Sequence, residues 1–361
     1  MITNVNDLVR IMKKQTQIVV LGDEAGALLA IAPEYGGKVV ALGLDGLPGK
    51  NLIWPNPALA KPEFWAGETR NWNIGGARSW ISPEATFYLD KQQNWFVPEV
   101  MDPGKYTLDS REANRVVCSN DFEITNVVDQ VYHLKLVRSV ELLTSPSEEL
   151  APGVRYVGLK FTHELYNLSD VTIGKDVDHV GLWSLIQLDT AGTMIIPITR
   201  DSSRANITVR DYGPKNFNTV PPERLATGDD WASVKIDGKF RCKLGIAPWA
   251  ARNGIAYLSY KHGSDEGILY LKQFHVDPAG LYLDRPWERA YDYGDAIQMY
   301  NDDGRFGGFC EIECHGPAKD LAPNEKLEQT VTFSVYVGNL AALKTIAGEK
   351  LGVNMDEVKL Y

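Results

Sequence analysis

The residues best suited to proton chemistry lie late in the chain, in the run Phe309-Cys310-Glu311-Ile312-Glu313-Cys314-His315-Gly316-Pro317. Side chains on a strand repeat every two residues, so Glu311, Glu313 and His315 share one face. Carboxylates on one face repel, which raises the pKa of at least one toward the range of a useful base. Burying such a row unpaired is costly, so it needs water or a site; a solvated outer face is the alternative. Six histidines, at 133, 163, 179, 262, 275 and 315, can both donate and accept a proton near neutral pH, and His163 and His275 lie in strand-like runs. The stretch NIGGARSWISPE at 73–84 supplies Arg78, Trp80 and Glu84. A guanidinium offers a fixed fork of donors to neighbouring hydroxyls or to a carboxylate; an Arg78–Glu84 brace within a loop is the plainer reading. Lys243 and Trp249, in KLGIAPW, form a further candidate contact.

Five of the nine tryptophans, Trp54, Trp65, Trp72, Trp80 and Trp95, fall within residues 51–95. Aromatic faces stack on the apolar faces of sugars, and they also anchor long ordered loops; different tryptophans can serve each purpose. The acidic groups Asp176/Asp178 and Asp292/Asp295/Asp302/Asp303 are calcium candidates, although such residues equally form turns. No HExxH, GxSxG or EF-hand pattern occurs, and Gly75-Gly76 lacks the Lys-Ser/Thr and the following helix of a phosphate loop. Zinc at Cys310 and Cys314 would need His315 or a distant ligand; neither a metal nor a cofactor is expected.

The elements that must position these groups are strands. Residues 4–14 read as a short amphipathic helix within 1–15, capped by Asn4 or Asn6, with Leu8, Ile11 and Met12 on one face. After it come about eighteen β-rich runs, each ended by Gly, Pro, Asn or Asp, the pattern of an all-β sandwich or barrel. ATFYLD, NWFVPEV and the long run FEITNVVDQVYHLKLVRSVELLT are among them. In EQTVTFSVYVG, Val331, Phe333, Val335 and Val337 alternate with polar positions, as in an antiparallel strand with one face buried. Residues 51–95 read as a Trp-rich loop over the sheet, and NLAALKTIAGEKLGVNMDEV reads as a C-terminal helix.

The 361 residues are 44% hydrophobic, enough for a large core, and the net charge is −10. No Lys/Arg block offsets that acidity, which argues against nucleic acid or an anionic membrane as the main partner. The cysteines at 118, 242, 310 and 314 include no Cys-x-x-Cys pair and read as buried, reduced thiols. The expected location is cytoplasmic, or periplasmic if a signal ahead of Met1 has been removed; a monomer or homodimer is expected. No 20–50-residue repeat or long linker appears, so 1–361 is expected to form one domain.

Three segments carry a resemblance to a known family. APEYGGKVVALGLDG at 32–46 with NLIWPNP after it, NIGGARSWISPE at 73–84, and FCEIECHGPAKDLAPNEKLEQTVTFSVY at 309–336 resemble, in order, an opening hairpin, a Gly-Gly-x-Arg/Lys-x-Trp-x-x-Pro-Glu element and a late acidic strand of the galactose mutarotase-like (aldose 1-epimerase-like) superfamily, in an uncharacterised branch. The Asn-His-x-Tyr-Phe-Asn-Leu strand of the epimerases is absent. The resemblance implies a large antiparallel β-sandwich, the mutarotase-like supersandwich, with a short N-terminal and a C-terminal helix. It places the catalytic base at Glu313 and the acid at His179. Arg78, Trp80, Glu84, Trp72, Lys243, Trp249, His315 and Glu311 would contact a small carbohydrate or oligosaccharide. The implied reaction is ring opening of a free sugar or sugar acid without a cofactor. A noncatalytic glycan-binding protein, or a glycoside hydrolase or lyase using Glu84 with Glu313, are the alternatives on the same fold.

Overall fold

The strand Arg115–Thr125 shows why this chain forms sheets: toward its end, buried Phe122 and Ile124 alternate with exposed Asp121, Glu123 and Thr125. A period of two with one dry face is stable only when another layer covers that face. In a computed structural model that describes residues 2, 4–67, 70–200, 208–286 and 293–361, the chain adopts the expected all-β architecture of large antiparallel sheets. It divides into two compact units, Met1–Leu142 with Lys160–Gln187 and His315–Thr330, and Leu143–Leu159 with Leu188–Cys314 and Val331–Tyr361.

In the first unit, the strands Val19–Gly22, Leu28–Ala32, Lys38–Gly43, Ala77–Ser82 and Gly181–Asp189 lie side by side in that order. Thr107–Arg111, Arg115–Thr125, Val131–Leu143 and residues 160–167 form a second layer. Arg138 crosses between these layers. It is fully buried, and its guanidinium donates to Gly37 O at 2.7 Å and to Gly36 O and Ala77 O, each at 3.3 Å. The Gly75-Gly76 pair has a steric cause: Gly76 has φ +79°, and a Cβ there would stand 1.9 Å from Val39 O. Only glycine lets Ala77–Ser82 approach its neighbour so closely. The helix Val5–Met12 is capped by Asn4, whose side chain accepts from Asp7 N at 2.8 Å. Its Val5, Leu8, Val9 and Met12 pack on Leu28, Ala30, Ala32 and Val40.

In the second unit, residues 309–314, Ile297–Asn301, Cys242–Ile246 and Val209–Asp211 are adjacent in that order. Leu225–Thr227, Trp231–Ile236, Gly192–Pro197, Gly254–Tyr260, Glu266–Phe274 and residues 331–339 form the other layer. Lys272 crosses here, donating from Nζ to Ile312 O at 3.1 Å. The helix Leu340–Leu351 ends where Gly352 turns left-handed at φ 65°, seven residues before Lys359 in a segment read from sequence as helical to Val358. Leu343, Ile346, Ala347 and Leu351 cover Tyr336, Leu269 and Leu271. That cover explains why Tyr336, on the polar face by alternation, is buried.

Several local expectations are corrected. ATFYLD and NWFVPEV are not strands: Glu84–Phe87 makes a helical turn after Pro83, with Tyr88 N bonded to Glu84 O, and only Leu89 and Trp95 form an isolated bridge. The long run from Phe122 breaks at 126–130, where Asn126 Oδ1 accepts from Val128 N and Gln130 N in a turn between Arg115–Thr125 and Val131–Leu143. The stretch read as a loop contains a strand, Ala77–Ser82, and its burial on both faces removed the alternation that marks strands in sequence. Replacing Arg138 by Ala is expected to lower the unfolding free energy by about 3 kcal/mol or more, because buried carbonyls lose their donor and a cavity remains. Urea denaturation measures it, and a loss below about 1 kcal/mol would show that the guanidinium is not a structural link.

Candidate functional site

Pairing register in the second unit sets a row of side chains across four strands. Arg210 is opposite Gly245, Gly245 opposite Gln298, and Gln298 opposite Glu313. Registered partners point to the same face, so Arg210, Gln298 and Glu313 project together, with Lys243, Tyr300 and Glu311 forming the adjacent row. The sequence expectation that Glu311 and Glu313 share a face therefore agrees with the register. The face is not a solvated one, since Glu311 is 6% and Glu313 1% exposed.

Neighbouring groups make that burial tolerable. Lys243 Nζ lies 3.6 Å from Glu313 Oε2 and 3.7 Å from Asp284 Oδ2, and it sits over the Tyr212 ring at 5.2 Å. Gln298 Nε2 donates to Asp284 Oδ2 at 2.7 Å and also to the Tyr212 hydroxyl. Tyr212 in turn donates to Asp295 Oδ2 at 2.7 Å, and Arg210 Nε donates to Asp295 Oδ1 at 2.7 Å. Asp284 and Asp295 are brought together by paired backbone, Asp295 N bonding Asp284 O. Gly245 leaves the space that Asp295 fills: a Cβ there would stand 2.0 Å from Asp295 Oδ2.

Of this network, Glu313 and Lys243 were singled out from sequence; Asp295 was noted only as a calcium candidate. Arg210, Tyr212, Asp284 and Gln298 were missed. The one available signal is the two-residue spacing of Arg210 and Tyr212, at the end of the strand Val209–Asp211. Trp249 is half-buried in the turn after Cys242–Ile246.

The first unit holds the remaining candidates. Arg78 is buried on Ala77–Ser82, with its guanidinium 4.2 Å from the Trp80 ring centre and 5.1 Å from that of Trp72. Trp80 is buried, donates from Nε1 to Asp102 Oδ2 at 2.8 Å, and meets Trp183 edge-on at 5.3 Å. His315 is buried and stacks on Trp183 at 5.2 Å. Glu84 is buried and accepts from Trp95 Nε1 at 2.9 Å. Trp54 and Trp80 thus serve as anchors, while Trp72 and Trp95 are half-buried. His179 is a quarter exposed and pairs through Nε2 with Asp320 Oδ1 at 2.9 Å. It belongs to the first unit and Glu313 to the second. His163 is buried with Nδ1 2.8 Å from Ser79 Oγ, and His275 is exposed.

Of the calcium candidates, Asp176, Asp302 and Asp303 are engaged as turn formers, while Asp295 belongs to the network above. Asp302 Oδ2 accepts from Gly304 N, Phe306 N and Gly308 N, and Asp176 Oδ2 accepts from Thr172 N. Asp292 lies outside the described residues. Among the described residues, no three His, Cys, Asp or Glu side chains are placed to hold a metal ion. Cys118, Cys242, Cys310 and Cys314 are buried thiols, and burial pushes the Cys118 and Cys242 thiols up to about 12.

Burial raises the Asp295 carboxyl from 3.8 to about 6, against the lowering effect of Arg210. A raised carboxyl pKa means that the folded state binds the extra proton between about pH 4 and 6, so this group's contribution to stability grows as pH falls through that window. The stability difference between the natural protein and Asp295→Asn, followed by urea unfolding, is expected to shift by roughly 3 kcal/mol in favour of the natural protein from pH 7 to pH 4. A difference independent of pH would refute the assignment.

Two solved structures share this fold. A candidate aldose 1-epimerase from Escherichia coli K12 is 11% identical and superposes with a TM-score of 0.52, covering 88% of this chain and 98% of its own. A galactose mutarotase-like protein from Lactobacillus casei ATCC 334 is 10% identical with a TM-score of 0.50, covering 88% of this chain and 100% of its own. At such identities the likeness is one of fold, a mutarotase-like β-sandwich. A search of the curated proteins found no match. The chain belongs to DUF6786, a family of unknown function whose model matches residues 3–361.

Proposed function

We propose that the protein acts on a carbohydrate as a mutarotase- or epimerase-like enzyme, opening and reclosing the ring of a free sugar or sugar acid, with Glu313 as the proton acceptor. The observation that supports this most is the buried Glu313 carboxylate beside Lys243, on a strand face shared with Glu311 and in register with Gln298. A carboxylate kept dry beside an ammonium meets a substrate proton with little water to reorganise. The solved structures of similar fold, described as an aldose 1-epimerase and a mutarotase-like protein, add weight to a sugar as substrate.

In the proposed reaction Glu313 takes the proton of the anomeric hydroxyl while an acid protonates the ring oxygen. The bond from C1 to the ring oxygen breaks, leaving an open-chain aldehyde. Rotation about C1–C2 presents the other carbonyl face, and reclosure returns both protons. His179 is the proposed donor, its ring held by Asp320. His315 is the rival, because it follows Glu313 by two residues on the same strand.

The test is NMR exchange between anomers of common hexoses, pentoses and uronic acids. Glu313→Gln is expected to lose about 10²–10⁴-fold in rate with an unchanged melting curve; exchange at the natural rate would reject Glu313 as base. A comparable loss in His179→Gln but not His315→Gln supports His179, and the opposite pattern replaces it with His315. Saturable line broadening without exchange would favour a glycan-binding module, and shortening of an oligosaccharide a hydrolase or lyase.

A further inference from the structure

The first unit contains a pocket of about 400 Å³ that the Glu313 chemistry does not use. Its apolar lining is Phe64, Trp72 and Val97; its polar lining is Glu63, Arg70, Asn71, Glu99 and Asp102. The size is in the lower part of the range that holds small ligands. All these residues belong to the first unit.

The charges at this pocket are largely paired before any ligand arrives. Asp102, 3% exposed, engages Lys38 Nζ at 2.7 Å through Oδ1 and Trp80 Nε1 at 2.8 Å through Oδ2. Arg70 Nε lies 3.9 Å from Glu99 Oε1, and its guanidinium sits over the Tyr35 ring at 5.3 Å and donates to Glu34 O. With Lys38 facing Asp102 and Arg70 facing Glu99, Glu63 is the carboxylate left over. A phosphate or sulfate would need an excess of positive charge that this lining lacks. A compact cation would meet the Arg70 guanidinium.

An uncharged ring bearing hydroxyls fits better. Each hydroxyl both donates and accepts, and Arg70 and Asn71 offer donors while Glu63, Glu99 and Asn71 offer acceptors. The Trp72 ring is already fixed, by Arg78 at 5.1 Å, Trp80 at 5.5 Å and Trp95 at 5.7 Å. Its carbonyl accepts from Lys38 Nζ. A pre-placed aromatic beside hydrogen-bonding groups binds without an ordering cost. We infer that this pocket is a binding site for a single pyranose ring, recognised through Trp72, Glu63 and Arg70, and that it works independently of Glu313.

Methyl α- and β-glycosides of glucose, galactose and mannose test this, because a blocked anomeric centre cannot ring-open and binding is read free of turnover. Saturation-transfer NMR and tryptophan fluorescence are expected to show saturable binding of at least one glycoside. Glu63→Ala and Arg70→Ala, both altering exposed side chains, are expected to weaken it about tenfold each. Trp72→Ala should abolish it, with a melting curve to confirm folding, and Glu313→Gln should leave it intact. Absence of binding by all six glycosides overturns the inference. So does binding that Glu63→Ala and Arg70→Ala leave unchanged, or that Glu313→Gln removes. Because the proposed ring opening is tested on free sugars, its failure leaves this result standing, and the reverse also holds.

Discussion

Burying a cation between two sheets is the constraint around which each unit is arranged. Arg138 in the first unit and Lys272 in the second are each about 1% exposed, and burial lowers the pKa of both. Neither cost is tolerable unless backbone carbonyls of the opposite layer accept the donors, and both cations find them: Gly36, Gly37 and Ala77 for Arg138, Ile312 for Lys272. A carbonyl can be reached from across the core only if its strand keeps one register and one height. Ala77 immediately precedes Arg78, and Ile312 immediately precedes Glu313. The buried cations therefore hold the two backbone segments from which Arg78 and Glu313 project.

The same economy appears in the aromatic segment. A tryptophan that fastens a loop must lose its indole N–H to a partner, and Trp65 and Trp80 do so, to Leu59 O at 2.9 Å and to Asp102 at 2.8 Å. Asp102 thereby joins Lys38, Trp80 and the lining of the pocket in one group of contacts. Burial depresses Lys38 from 10.5 to about 8 despite the facing carboxylate, so desolvation outweighs the ion pair at this point. That cost is accepted where Trp72 is held in place, since the Lys38 ammonium also bonds the Trp72 carbonyl.

Much of this was legible where physics acts over short sequence distances. The period of two put Glu311 and Glu313 on one face, Asn4 marked the start of the first helix, and turn residues separated most strands. The Gly75-Gly76 pair identified a segment whose close approach to Val39 O is now explained. What was illegible depends on register between distant strands. Arg210, Lys243, Gln298 and Glu313 become neighbours only when four strands are aligned, and Asp284 and Asp295 reach them from irregular backbone. Nothing in the sequence marks Gly245, yet it is the position that lets Asp295 lie across the row. Ala77–Ser82 was hidden for the opposite reason, since a strand buried on both faces has no alternation to read.

Charge accounting in the second unit shows how its buried ionic groups share their partners. Arg210 is given to Asp295, through Nε at 2.7 Å, and Tyr212 completes the shell of that carboxylate. Lys243 is then shared between Asp284 and Glu313 at nearly equal distances, 3.7 and 3.6 Å. Neither of these two distances is that of a tight hydrogen bond. A structural ion pair gains by closing to one partner in bidentate or short contact. An ammonium within reach of two buried carboxylates stabilises charge on either of them, which suits the proton uptake and return proposed for Glu313.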